Sequence, residues 1–174
     1  MASRDTFLGK AKQEMRLSER ILSAIPGFKG YKEREIRRES DRLIRDHIYR
    51  RLRDTEDILK KSFQRLSDDR AYGLMENVDR LVMEFDRVKA RIDHASYGYT
   101  GFFDIVKIDE RDLDEMFSFD EDLLKGVEKL SEEVKAIKDY KLEDGAKPFE
   151  AIGESLSSLE EMFNERKEKI LGVS

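Results

Sequence analysis

The chain has 174 residues, enough for one domain with a single core, and it carries 42% charged residues with a formal net charge of −5. It contains no cysteine, which excludes disulfides, thiolate nucleophiles and cysteine-held metals. Its apolar runs are two to four residues long, far short of the ~20 that span a bilayer, and its first residues lack the apolar segment of a signal peptide. The expectation is a cytoplasmic protein whose residues 1–174 form one helical domain.

A first helix is predicted from Arg4 to Ile25, with Leu8, Ala11, Met15, Ile21, Leu22 and Ile25 as a patchy apolar stripe. Pro26-Gly27 stops it, and "PGFKG" reads as a loop. A second helix is predicted from Tyr31 to Leu66. Its stripe, running through Leu43/Ile44, His47/Ile48, Leu52, Thr55, Leu59, Phe63 and Leu66, alternates spacings of three and four. Such a helix is roughly 50 Å long at 1.5 Å per residue and needs a partner along its length. The pattern is that of a helical bundle or coiled coil.

This second helix is basic at its start. Lys29 to Arg53 holds ten Lys/Arg against five acids, a balance of +5. Glu33 and Arg37, Asp41 and Arg45, and Asp46 and Arg50 are spaced four apart with the acid first, the favourable order on a helix. Interspersed charge of this kind reads as a salt-bridged, solvated face. The sharper reading is a phosphate-binding stripe made by Arg37, Arg38, Arg45, Arg50, Arg51 and Arg53, for anionic lipid or nucleic acid, with affinity that falls steeply with salt.

"SDDR", residues 67 to 70, is a turn rich in capping side chains. A third helix follows with Leu74, Val78, Leu81, Phe85, Val88, Ile92 and Ala95, an almost unbroken apolar seam. The short turn makes the second and third helices an antiparallel hairpin. Next comes "HASYGYTGFF", with Tyr97, Tyr99, Phe102 and Phe103 crowded into seven residues together with Gly98 and Gly101. One reading is mechanical: Gly98 ends the third helix and the aromatics close the open end of the core. The other makes those four aromatics a binding pocket or docking patch.

Asp104 to Asp122 holds nine acids against Lys107 and Arg111, a balance of −7. This block could meet the basic helix within one chain or in a second copy. It lacks the spacing and glycine of a calcium loop, and no metal or cofactor is expected. A fourth helix starts near Asp109 and runs to Tyr140 through Leu123/Leu124, Val127, Leu130, Val134 and Ile137. Asp120 falls where the stripe asks for an apolar residue, so an interruption is expected at Ser118 to Asp120. A fifth helix follows Pro148 with Phe149, Ile152, Leu156, Leu159, Phe163 and Ile170.

"GYKEREIRRESDRLIRDHIYRRL" and "ASYGYTGFFDIVKIDERDLDEMFSFD" resemble a family of uncharacterised prokaryotic all-helical proteins over residues 30 to 140. The resemblance implies an all-helical fold and brings no activity with it.

The chain therefore reads as all-α: an antiparallel bundle of four to five helices with a long central helical hairpin. The expected core is Leu43, Leu52, Leu59, Phe63, Leu66, Leu74, Val78, Leu81, Phe85, Val88, Ile92, Leu123, Val127, Leu130, Val134, Leu156, Leu159 and Phe163. The catalytic inventory is thin. His47 borders the second stripe, His94 ends the third helix, and no phosphate-cradling loop, catalytic triad or Glu-x-x-His pair is present. The expected function is a non-enzymatic helical interaction or scaffold module, self-associating or bound to another protein. The alternative is peripheral binding of anionic lipid or nucleic acid through residues 29–53. A third reading is an enzyme or small-ligand binder built on the aromatic loop with His94.

Overall fold

The computed structural model describes residue 19 and residues 21–28, 34–68, 72–95, 110–140 and 144–171. Four long helices account for most of them: α1 (Arg34–Asp68), α2 (Tyr72–His94), α3 (Glu110–Ala136) and α4 (Lys147–Leu171). No strand occurs among the described residues. The fold is an all-α bundle, as the three-four spacing of apolar residues requires.

Side-chain contacts set the directions of the helices. Lys89 of α2 reaches Glu56 of α1 across the hairpin. Arg51 of α1 meets Glu128 of α3, and Arg65 bonds the Lys138 carbonyl just beyond it, so α1 and α3 run parallel. Asp120 meets Arg166 and Lys129 meets Ser155, so α3 and α4 are antiparallel. Arg87 and Arg91 of α2 both reach Glu160 of α4, and these two helices are parallel. The molecule is thus two antiparallel hairpins laid side by side, with packed neighbours in the cyclic order α1, α2, α4, α3.

The core fills the space between them. Ile44, Ile48, Leu52 and Leu59 come from α1, and Val78, Leu81, Phe85, Val88 and Ile92 from α2. Leu123, Val127, Leu130 and Val134 come from α3, and Phe149, Ile152, Leu156, Leu159 and Phe163 from α4. Each large side chain removed fully from water, Phe85 for example, contributes about 2–3 kcal/mol. Leu43, Phe63 and Leu74, expected inside, are only partly buried and pack on the edge of the core. Ile21, Ile25 and Phe28 of the N-terminal segment are also buried, and Phe28 meets Phe117 edge-on with ring centroids 6.1 Å apart. Gly27, at φ +87°, makes the turn that turns Phe28 inward.

Two boundaries differ from expectation. No break occurs at Ser118 to Asp120, and α3 runs through them unbroken before tightening into a 3₁₀ turn at Ile137–Asp139. α4 begins at Lys147, one residue before Pro148, whose missing N–H is harmless in a first turn.

Candidate functional site

The reason α3 does not break is a buried ionic cluster. Asp120 is fully buried at 0% exposure, and the Arg166 Nε donates to its Oδ1 over 2.6 Å. Arg166 itself is 1% exposed, and its Nη1 donates to Asp41 Oδ1 over 2.7 Å. The other Asp41 oxygen accepts from Arg45 Nε at 2.9 Å, one helical turn away. Two arginines and two aspartates, from α1, α3 and α4, form a neutral quartet inside the lower end of the bundle. Taking these charges out of water is costly, and the cluster holds only because each member answers another.

A second cluster ties the first hairpin. Glu56 is buried on α1, with Lys60 Nζ 2.6 Å from its Oε1 and Lys89 bonded to its Oε2. Lys89 also reaches Asp86 at 2.8 Å. Burial works against the Lys89 charge, but hydrogen bonds to Asp86 and Glu56 outweigh it and raise its pKa above the ordinary lysine value.

The six arginines of the proposed phosphate stripe are placed very differently. Arg45 faces the interior and cannot reach a phosphate backbone. Arg51 bridges to Glu128 at 2.6 Å, and Arg53 lies 3.3 Å from Asp54. Arg50 is exposed. Arg37 and Arg38 fall in the opening turns of α1, and their side chains lie outside those described. Arg42, which sequence reasoning did not single out, sits 3.7 Å from Asp46. Of the four arginines whose side chains are described, Arg45, Arg51 and Arg53 are answered within the chain.

Tyr97, Tyr99, Phe102 and Phe103 lie outside the described residues, and so does the acidic run from Asp104 to Asp109. The rest of the acidic block lies on α3, beside the basic half of α1 in the same molecule. There Asp120 turns inward and Glu121 pairs with Lys125 at 3.1 Å. Among the described residues, no group of three or more His, Asp or Glu is placed to hold a metal ion. His47 is half-buried between α1 and α3. Burial pushes its pKa below the ordinary value, Arg51 and Arg50 push it the same way, and Glu128 opposes them.

Two surface features complete the picture. An open groove between α2 and α4 is rimmed by Glu84, Glu150, Glu154 and Glu161, with Arg80 at one edge. On the outward side of α2, Tyr72 and Met83 are 64% and 66% exposed. They stand eleven residues apart, close to three full turns, and so share one face.

Arg166 is the residue that sequence reasoning missed. An arginine near the end of an amphipathic helix looks solvated, and its partner Asp41 lies 125 positions away. The available signal was Asp120, an acid in an apolar stripe, which implies a buried cation somewhere. No helix among the described residues is long and apolar enough to cross a membrane. No family model, curated protein or solved structure matches the chain.

Proposed function

We propose that the chain is a non-enzymatic helical interaction module that associates with copies of itself. The observation that carries this reading is the outward face of α2, where Tyr72 and Met83 remain exposed on one side of a helix whose other side is fully committed to the core. Exposed aromatic and methionine side chains on one helix face favour contact with another protein. The buried charges suit a rigid scaffold, because each member of the quartet is answered by another member. A cysteine-free chain suits a reducing compartment, and we place it in the cytoplasm.

Binding to anionic lipid or nucleic acid through residues 29–53 is the competing reading. The pairings of Arg45, Arg51 and Arg53 withdraw charge that such binding needs, so we prefer self-association. Sedimentation equilibrium over a concentration series separates them. The expected mass climbs from 20.5 kDa toward twice that value. A flat 20.5 kDa, together with tight vesicle or RNA binding that weakens steeply with salt, would reverse the preference.

A further inference from the structure

α2 carries a repeat that core packing explains only in part. Val78, Phe85 and Ile92 stand seven residues apart and are buried. Each is followed by an acid and then a base: Asp79-Arg80, Asp86-Arg87 and Asp93-His94, all six exposed. At 3.6 residues per turn, a spacing of seven keeps each set in line along the helix. The acids fall on the side toward α1, where Asp86 contacts Lys89 beside Glu56. The bases fall on the side toward α4, where Arg87 and Arg91 share the single carboxylate of Glu160. Between the two stripes lie Tyr72, Met83 and Ala90, all exposed.

We propose that a second copy of the chain docks on this face, α2 against α2, parallel and about a two-fold axis running along the helices. The proposal rests on the self-association reading above and gives it a surface. Such an axis sets the acidic stripe of one copy opposite the basic stripe of the other, and the same contact occurs twice. An antiparallel pair would instead set acid against acid and base against base, so the charges select the parallel arrangement. Met83 lies at the middle of the seam, where pairing removes it from water. Glu76 also faces the seam, and Arg80, four residues on along the same helix, donates its Nη2 to Asn77 Oδ1 at 3.5 Å.

Charge reversal on the full chain tests this. One variant carries Asp79→Lys with Asp86→Lys, and the other carries Arg80→Glu with Arg87→Glu. Sedimentation is expected to show each variant alone losing at least tenfold in dimer affinity, and an equimolar mixture of the two recovering it. A wild-type dimer that neither variant weakens leaves self-association standing but removes this face. Variants that dissociate and do not recover on mixing show that the stripes do not meet, which also overturns the proposal. A wild-type chain that stays monomeric refutes the self-association reading itself. Met83→Arg, at a position exposed enough to leave the fold alone, is a second check that does not touch the Glu160 bridge. It should also weaken the dimer at least tenfold, and an undiminished dimer would count against the seam.

Discussion

Arg166 holds two aspartates from two different helices, with its Nε 2.6 Å from Asp120 and its Nη1 2.7 Å from Asp41. Removing the cation takes a buried ionic partner from both Asp120 and Asp41, and Asp41 keeps only Arg45 as a charged partner in the quartet. Arg166→Met should therefore cost about 3–5 kcal/mol in chemical denaturation. Replacing the whole quartet by apolar residues, with Asp41→Leu, Asp120→Leu and Arg45→Met added, should recover most of that loss. A quadruple variant as unstable as the single one would show that the ions stabilise the fold on balance.

His47 makes stability depend on pH. Its pKa is lowered, first by burial and then by Arg51, so the unfolded chain takes up a proton at pH values where the folded chain does not. Its contribution is complete above about pH 6.5 and is lost as pH falls through the histidine range. His47→Gln should flatten the decline in melting temperature between about pH 6.5 and about pH 5, above the range where most carboxylates titrate. Equal slopes for variant and wild type would remove His47 as the cause.

Tyr140 packs its ring edge-on to Phe149, with centroids 5.6 Å apart, while its buried hydroxyl has no hydrogen-bond partner among the described residues. Burial accordingly raises its pKa. Tyr140→Phe keeps the ring contact and deletes the orphaned group, so it should stabilise by about 1 kcal/mol. A loss of stability on thermal melting would mean that the hydroxyl is answered after all.

Two helical glycines should respond differently to alanine. A Cβ at Gly153 would meet Glu84 and Leu81 at 3.6 Å, an ordinary contact, so Gly153→Ala should gain about 0.5–1 kcal/mol of helix stability. At Gly126 it would lie 2.9 Å from Met162 Cε and 3.1 Å from Leu159 Cδ1, so the facing side chains must move. Gly126→Ala should gain less than Gly153→Ala, and denaturant midpoints for the pair check the order.

The fold was legible because helix and core use the same local signal. Leu81, Phe85, Val88 and Ile92 recur every three or four residues, and that spacing alone places them on one buried face. The charged site was not legible in this way. Asp41 and Arg45 were visible as a four-apart pair, but such pairs are common on solvated faces. Only the fold brings Arg166 to them and makes Arg45 an interior residue. Asp120 reads as a helix interruption because a single sequence does not show that an arginine from another helix answers it. The doublets on α2 were likewise hidden: a charged residue beside a core residue is ordinary until the neighbouring helices reveal which side each charge faces.

The most direct measurement of the central claim is light scattering on the pure 174-residue chain across a salt series. The account predicts a dimer at low ionic strength, about twice 20.5 kDa, that dissociates as salt rises because opposed charge stripes hold it in register. A mass of 20.5 kDa at every salt concentration would contradict self-association, and a dimer indifferent to salt would contradict the charge-paired face on α2.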